Sequence, residues 1–250
     1  MEQFIKNLAK GAGQILRQGF KQEIQIKQKQ GHWDPVTQYD LAVDKFIQDR
    51  VRKKFPSHGI LSEEGTDIKN QKHLWIIDPI DGTRNFSRGI AYFCISIAYA
   101  KSGVLSAAAV YDPMQDELFF AAKNKGAFLN GKKITVSPIS SPEHALDVSD
   151  FNSSVSVAMK KKVHRFHLKT NAWSIHKGAS ALDLANTAAG RFDFAIQIGA
   201  YPWDYSAAGL ILKEAGAKTT DLKGKPYRWD SKEIIAANPK LHPKILKLLK

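Results

Sequence analysis

The residues with the clearest chemical potential lie in one short segment, WIIDPIDGTRNF, which spans Trp75–Phe86. Its apolar start predicts a buried strand that delivers Asp78 at its end, with Asp81 three residues later. Gly82 permits a tight turn and the close approach of a ligand to the backbone. Thr83 is predicted to cap a short helix, whose N-terminus would attract phosphate. Two carboxylates on one rigid turn suit a hard cation such as Mg²⁺, and the structural alternative is an Asp-Pro turn followed by a helix cap.

Carboxylates from other segments join this pair and point to phosphate chemistry. A phosphate monoester is a dianion, so its hydrolysis benefits from metal ions that neutralise it, lower the pKa of water and stabilise the leaving alkoxide. Glu63 and Asp204, together with Asp78 and Asp81, supply four carboxylates for such a cluster. Taken alone, some acidic residues also have an ordinary structural interpretation. Glu63 is typical of a solvated loop and Asp204 of a helix cap, and a further acidic residue, Asp40, is typical of half a capping box.

Several catalytic classes are excluded because their motifs are missing. Aspartyl-phosphate phosphatases of the haloacid-dehalogenase type need Asp-x-Asp, whereas the spacing here is Asp-x-x-Asp. The sequence contains no G-x-x-x-x-G-K-[ST] loop, no G-x-S-x-G elbow and no H-E-x-x-H helix. Cys94 lies in an apolar run without a basic neighbour, which indicates a core thiol rather than a nucleophile.

The composition is that of one folded unit. The 250 residues are 43% hydrophobic and 24% charged, which excludes disorder as the main state. The longest apolar stretch, Ile90–Ala100, is about half of the roughly 20 residues that a membrane-spanning helix needs. Lys6, Lys10 and Arg17 interrupt the first segment, so we expect neither a signal peptide nor a membrane partner. The single cysteine favours a reducing cytoplasm.

The formal net charge of +13 leaves two interpretations open. A basic surface can bind nucleic acid, or it can steer small phosphorylated anions toward a site. The sequence has no RNA-recognition signature, no zinc-finger spacing and no arginine-rich tail. Nucleic acid is therefore not the favoured partner, and solvated lysines on helix faces explain most of the charge.

The elements that must position these residues form a mixed pattern, which favours layered α and β structure over a single wound sheet. Apolar spacing predicts helices to about Phe20, from a Thr37 cap through Phe55, over 178–189, from an Asp204 cap to Glu214, and over 241–249. Strand-type runs occupy 59–61, 74–77, 92–100, 104–111, 117–122, 134–136, 192–198 and 234–237. Pro79 is expected to stop sheet pairing, and Asn130-Gly131 predicts a hairpin turn.

Motifs in a fixed order resemble those of the inositol monophosphatase superfamily, the Mg²⁺-dependent, lithium-sensitive phosphatases. The matching segments are DPVTQYD (34–40), ILSEEG (60–65), DPIDGTRNF (78–86), AVYDPMQDELFFAAKNKGAFLNGKKITVS (109–137) and WDYSAAGLILKEAGA (203–217). The resemblance covers nearly the whole chain except about 138–171. It implies an α+β fold, the layered α-β-α-β-α sandwich, as one domain over 1–250 with lobes of about 1–137 and 138–250, usually in a homodimer.

The resemblance also implies a metal site of two or three Mg²⁺ ions. Glu63, Asp78 and the Ile80 carbonyl would hold one ion; Asp78, Asp81 and Asp204 would hold a second; a third, weaker ion would share Glu63. Glu63 and Thr83 would position and deprotonate the attacking water, with support from Asp40.

Substrate contacts follow from the same resemblance. Gly82 and Thr83 would bind the phosphate, and Lys29 would lie near the water or the phosphate. Gly178, Ala179 and Ser180 would line the alcohol side at the start of another helix. The remaining substrate contacts would come from Glu63, Ile80, Asp81, Gln197 and Asp204.

Two departures from the family pattern concern the substrate. Animal members carry a Glu seven residues before the second-signature Asp, where it contacts sugar hydroxyls, and this chain has Gln197 there. Arg84 stands where those enzymes often have a second Thr. We expect a phosphomonoesterase for a small phosphorylated alcohol, with inositol monophosphate as the first candidate. Because a neutral amide replaces the carboxylate, we also expect broad or shifted specificity, in which inositol 1-phosphate is not strongly preferred. Histidinol phosphate, fructose 1,6-bisphosphate and 3′(2′),5′-bisphosphate nucleotides stay open as substrates. A basic nucleic-acid or protein-binding regulator on the same fold is the alternative from another class.

Overall fold

The computed structural model describes residues 1–20, 22–28, 35–68, 70–152 and 155–249. Helices in these ranges are α1 (Glu2–Gly19), α2 (Gln38–Lys54), α3 (Thr83–Ser87), α4 (Val157–Thr170), α5 (Ser180–Ala188), α6 (Pro202–Glu214) and α7 (His242–Leu248). The first strands are β1 (Ile26–Gln28), β2 (Pro35–Thr37), β3 (Gly59–Ser62), β4 (His73–Asp81), β5 (Cys94–Lys101), β6 (Val104–Asp112) and β7 (Glu117–Ala122). The later strands are β8 (Ala127–Leu129), β9 (Lys132–Ile134), β10 (Leu146–Phe151), β11 (Trp173–Ile175), β12 (Phe194–Ile198), β13 (Lys218–Thr220) and β14 (Glu233–Ala237).

Two large sheets organise the described part of the chain. The seven-stranded sheet has the order β3-β4-β5-β6-β7-β8-β9, and only its β3–β4 pair is parallel. The five-stranded sheet has the order β11-β10-β12-β14-β13, with β10 parallel to both β11 and β12. Strands β1 and β2 form a small antiparallel pair beside them.

Helices and sheets alternate in five layers, which confirms the predicted α+β class and the α-β-α-β-α order. Helices α1 and α2 cover the outer face of the seven-stranded sheet through an apolar core that includes Leu8, Ile47 and Trp75. Helices α5 and α6 fill the space between the two sheets, and α4 and α7 cover the outer face of the five-stranded sheet. None of the helices among the described residues combines the length and apolar character that crossing a bilayer requires.

Three local predictions around the candidate site are wrong. Pro79 does not stop pairing, because β4 runs on to Asp81 through a register shift between Asp78 and Asp81, where the missing proline N–H is tolerated. Thr83 is not the cap of α3, since Gly82 occupies that position in a left-handed conformation with φ 93°. Asp204 is not the cap of α6 either, because the helix begins two residues earlier at Pro202, a residue favoured at the first helical position.

Other elements follow the sequence more closely. The Asn130-Gly131 hairpin turn is confirmed, with φ values of 47° and 80° at its two residues. The strand predicted over 134–136 lies earlier, at Lys132–Ile134. The stretch of about 138–171, which the family resemblance leaves out, contains β10 and α4. The division into two lobes stays a prediction; the strands of the seven-stranded sheet end at Ile134 and those of the five-stranded sheet begin at Leu146.

Candidate active site

Three carboxylates from distant parts of the chain meet where β4 ends. Asp78 and Asp81 lie on the last residues of β4, and Asp204 lies in the first turn of α6. Each offers an oxygen atom, and these oxygens all lie within 4.8 Å of one another. Three of the four acidic residues that the sequence predicts for a metal site therefore form a compact cluster in the fold.

The backbone around Asp78 explains how two carboxylates of one strand reach the same point. Successive side chains of a regular strand point to opposite faces, so Asp78 and Asp81 need an irregularity to converge. The register shift between them supplies it. Asp78 Oδ1 also accepts a hydrogen bond of 3.0 Å from the Ile80 N–H, which holds the turn. Burial, followed by the charges of Glu63 and the other cluster carboxylates, raises the pKa of Asp78 well above its usual value.

Asp81 is held by the first turn of α5. Its carboxylate accepts backbone hydrogen bonds from Ser180 at 2.9 Å, Ala181 at 2.8 Å and Leu182 at 3.3 Å. The Cys94 thiol lies 3.4 Å from the same carboxylate. Burial raises the pKa of Asp81 to about 6, and the hydrogen bonds from these donors oppose that rise. The positive end of a helix favours a carboxylate at this place.

Asp204 and Glu63 approach from two other elements. Asp204 Oδ2 accepts a hydrogen bond of 2.8 Å from the Tyr201 N–H, so the residue helps to begin α6. Glu63 directly follows β3, and its N–H donates to the Ile77 carbonyl at 3.2 Å. Ser62 Oγ donates to Asp44 Oδ1 at 2.5 Å, which ties the start of this loop to α2.

Thr83 and Asp40 form a second polar contact behind the cluster. Thr83 Oγ1 lies 3.0 Å from Asp40 Oδ1 and 2.9 Å from the Ile80 carbonyl oxygen. The other Asp40 oxygen accepts from the Thr37 N–H at 2.7 Å and from Thr37 Oγ1 at 2.5 Å. Burial raises the pKa of Asp40 to about 6, while the Thr37 and Thr83 hydrogen bonds act against it. The capping box of α2 thus also orients a carboxylate toward the candidate site.

One cavity of about 260 Å³ collects most of the sequence-predicted site residues. Its wall includes Glu63, Asp78, Ile80, Asp81, Gly82, Thr83, Gly178, Ser180, Gln197 and Asp204. Asp40 stands behind Thr83, as the contact above shows. Ala179 does not line the cavity, since it is buried with its Cβ close to the position a Gly82 side chain would need. Lys29 lies outside the described residues.

The cavity wall also contains residues that sequence analysis did not place in a site. They are Pro35, Arg84, Asn85, Asp150, Phe151, Asn152, Ile198, Ala200 and Tyr205. Arg84 and Asn85 directly follow the DPIDGT residues in the sequence, and this closeness could have indicated that they line the site. Asn85 Nδ2 donates to the Tyr92 carbonyl at 2.7 Å and the Lys177 carbonyl at 2.8 Å, which joins α3 to the segment before α5.

Gln197 belongs to a buried polar group under the cavity. Its side chain is 1% exposed, and Nε2 lies 3.5 Å from Asp183 Oδ2 on α5. The Tyr92 hydroxyl donates to the other Asp183 oxygen at 2.6 Å. Burial raises the pKa of Asp183 to about 8, and the Tyr92 hydrogen bond acts in the opposite direction.

The donor set of the cluster fits a hard divalent cation. Carboxylate oxygens and a backbone carbonyl suit Mg²⁺, Ca²⁺ or Mn²⁺, whereas thiolate and imidazole sets suit softer metals. Asp78, Asp81 and Asp204 supply oxygens only, and within the described ranges no His or Cys joins this group. A cation here would offset both the burial of the Asp78 carboxylate and its repulsion by the neighbouring carboxylates, which together raise its pKa.

Comparison with known proteins agrees with this geometry. The sequence model of the "Inositol monophosphatase family" matches residues 1–250. "Fructose-1,6-bisphosphatase/inositol-1-monophosphatase" of Thermotoga maritima is 35% identical, covering 98% of this chain and 94% of that protein. "Inositol monophosphatase 1" of Sus scrofa is 32% identical, covering 95% and 89%. The crystal structure of extragenic suppressor protein suhB from Bartonella henselae superposes with a TM-score of 0.94 at 32% identity, covering 99% and 97%.

Proposed function

The chain belongs to the inositol monophosphatase family, and from that premise we propose that it is a Mg²⁺-dependent phosphomonoesterase for a small phosphorylated alcohol. The observation that carries the proposal is the cluster of Asp78, Asp81 and Asp204, with oxygens within 4.8 Å, at the wall of one cavity. Inositol monophosphate is the first candidate substrate. The name of the Thermotoga maritima relative includes fructose 1,6-bisphosphate, which makes that ester the next one to test.

The metal would be held by Glu63, Asp78, Asp81, Asp204 and the Ile80 carbonyl, all of which line the cavity. When bound, Mg²⁺ supplies the positive charge that offsets the phosphate dianion and the leaving alkoxide, and it makes a water more acidic. The proposal includes two or three ions and inhibition by Li⁺, which the resemblance to the family implies.

Proton transfer in the proposed mechanism belongs to Thr83 and Asp40. A Thr83 hydroxyl that donates to Asp40 Oδ1, 3.0 Å away, keeps its lone pairs for a hydrogen of the attacking water. Asp40 can then receive the proton through Thr83. Its pKa of about 6 is close to neutral pH, which suits a general base. Glu63 lines the same cavity and would orient the water from the other side.

Phosphate would bind beside the turn that starts α3. Gly82 has a φ of 93°, and an added Cβ there would lie 3.1 Å from the Ala179 Cβ, so only glycine fits without strain. The missing side chain makes room for the segment before α5, and Gly82 itself lines the cavity in which we place the phosphate. Ser180 and Gly178 line the neighbouring wall, where the alcohol part would lie.

The proposal also covers where the protein is located and how it assembles. We place the enzyme in the cytoplasm as a homodimer, in which the net charge of +13 steers small anions toward the cavity. Nucleic acid is the alternative ligand for that charge.

The test is a panel of phosphate esters assayed with Mg²⁺, with Ca²⁺ and with a chelator. The panel contains inositol 1-phosphate, histidinol phosphate, fructose 1,6-bisphosphate and adenosine 3′,5′-bisphosphate. We expect Mg²⁺-dependent hydrolysis, poor replacement by Ca²⁺ because its bonds are longer and looser, and loss of most activity in Asp204→Asn. The exposed Asp49→Asn is the charge-matched control. Full activity in chelator, or RNA binding without hydrolysis of any ester, would overturn the proposal.

A further inference from the structure

Asp150 is a carboxylate in the cavity wall that the mechanism above does not use. It lies on β10, and its register partner on the parallel neighbour β12 is Gln197. Paired residues of adjacent strands project to the same face of a sheet. Val148, two residues earlier, packs in the core with α5 and α6, so this face of β10 is turned toward the middle helical layer and the cavity.

The contacts of Asp150 leave acceptor capacity for a ligand. Oδ1 accepts a hydrogen bond of 2.7 Å from the N–H of Phe151, the next residue. Among the residues that the structure describes, no donor reaches Oδ2 and no cation lies within ion-pair distance of the carboxylate. A carboxylate has about four acceptor positions, so most of those on Asp150 have no donor among the described residues.

Hydrogen bonds within the protein account for the burial of Asp147, another carboxylate on β10, but not for that of Asp150. Asp147 projects to the opposite face, where it accepts from Ser149 Oγ at 2.6 Å and from Ser174 Oγ at 3.2 Å and lies 3.2 Å from His167 Nε2. Asp150 has no comparable set of partners. Its one hydrogen bond, from the Phe151 N–H, and the more distant charges of His176 and Arg84 leave this partly buried carboxylate short of hydrogen-bond donors, which suggests a ligand as the further partner.

The neighbouring groups narrow the chemistry of that ligand. Gln197 offers one acceptor and two donors, and Asp150 offers acceptors only. The acidic cluster that would hold the metal, and with it the phosphate end of the ligand, lies in the same cavity. A ligand with several hydroxyl groups close to its phosphate can donate to Asp150 and exchange hydrogen bonds with Gln197 at once.

We propose that Asp150 is a specificity-determining residue that selects phosphate monoesters of polyhydroxylated alcohols. Its carboxylate accepts hydrogen bonds from hydroxyl groups of the alcohol, beside a neutral amide at position 197. The inference rests on the proposed phosphatase function and names the substrate class of the same cavity.

The test compares two esters that share the phosphate but differ in hydroxyl groups, inositol 1-phosphate and p-nitrophenyl phosphate, both with Mg²⁺. The measured quantity is the ratio of their kcat/KM values. Asp150→Asn should lower this ratio about tenfold or more, because a hydrogen bond to a charged group is lost. The loss should fall mainly on the KM of inositol 1-phosphate, since the hydroxyl groups are remote from the reacting phosphorus. The exposed Asp49→Asn should keep the wild-type ratio.

A second variant pair tests the pairing of positions 150 and 197 directly. Gln197→Glu places a carboxylate beside Asp150 and at the position from which Gln197 Nε2 contacts Asp183 Oδ2 at 3.5 Å, so alone it should raise the ratio little. Combined with Asp150→Asn, it should recover most of the lost selectivity, because one carboxylate is again present. Inhibition of p-nitrophenyl phosphate hydrolysis by free myo-inositol gives an independent readout, and Asp150→Glu should preserve it if Asp150→Asn folds poorly.

The outcomes separate this inference from the proposed function. A wild type that hydrolyses neither ester with Mg²⁺ overturns the phosphatase function and this role with it. An active enzyme whose ratio and myo-inositol inhibition are unchanged in Asp150→Asn overturns only the role of Asp150. A parallel loss on both esters also contradicts it, because that result indicates a structural role.

Discussion

We expect Asp78→Asn to make the metal-free protein more stable while it removes the phosphatase activity. Asp78 is buried, and burial together with the charges of Glu63, Asp81 and Asp204 raises its pKa. Asparagine has nearly the same shape, and its side-chain oxygen can still accept the hydrogen bond from the Ile80 N–H. The substitution therefore removes a like charge without opening a cavity.

The spacing of the cluster sets the size of this effect. Its oxygens lie within 4.8 Å of one another. At a pH above the raised pKa values, where the carboxylates are ionised, two unit charges at such a distance repel by about 3 kcal/mol at an effective dielectric constant of about 20. Relief of one such pair corresponds to a rise in Tm of about 6–12 °C for a chain of this length. Mg²⁺ at about 100 times its Kd stabilises the wild type by about 2.7 kcal/mol, so the metal should close most of the difference.

Thermal unfolding in chelator and in Mg²⁺ measures both effects, together with activity on inositol 1-phosphate. Asp78→Asn should unfold above the wild type in chelator and gain little from Mg²⁺. Asp49→Asn, an exposed carboxylate paired with Lys45, should behave like the wild type in both buffers. A lower Tm of Asp78→Asn in chelator, or equal stabilisation of both proteins by Mg²⁺, refutes the repulsion that we assign to the cluster.

Three further predictions concern proton transfer, steering and pH. Thr83→Val should lower kcat about a hundredfold or more, because only a hydroxyl can link Asp40 to the attacking water. Thr83→Ser keeps the hydroxyl and should keep most of kcat. Equal rates in both variants would contradict proton transfer through Thr83. The kcat/KM for an anionic ester should fall as salt rises past about 0.1 M, where the Debye length is about 10 Å, and a salt-independent value would exclude steering. Burial, with a contribution from Lys218, lowers the pKa of His242 from 6.5 to about 4. The neutral imidazole is thus favoured in the folded state, so the His242 contribution to the free energy of unfolding, measured as the difference between wild type and His242→Gln, should drop by about 3 kcal/mol between about pH 6.5 and pH 4. Denaturant titrations across this range check it, and an equal drop in His242→Gln would show that another group is responsible.

The local part of the candidate site could be predicted from the sequence. Asp78, Asp81, Gly82 and Thr83 lie within six residues, and the chemistry of a strand end, a glycine turn and a short helix is local. The details that went wrong are matters of backbone geometry. The sequence shows a proline in β4, but only the sheet shows that a register shift accommodates it.

The distant part of the site depends on sheet pairing that the sequence does not reveal. Asp150 comes from a stretch without a recognisable motif, and its place beside Gln197 follows from the parallel pairing of β10 with β12. Parallel neighbours are joined through long crossovers, so no local turn announces their register. The start of α6 was more accessible, since Pro202 at the first helical position already argues against a cap at Asp204.

The hydrogen bonds that hold Asp81 connect the acidic cluster to a part of the chain far away in sequence. The backbone donors on α5 lie 99 to 101 residues further along the sequence. A fragment that ends before α5 keeps every residue of the DPIDGT motif, yet it lacks the groups that hold one of the three carboxylates in place. The DPIDGT motif alone is therefore not enough to form the acidic cluster. Selection for catalysis in this chain is at the same time selection for cooperative folding, because the acidic cluster is complete only when β4 and α5 fold together.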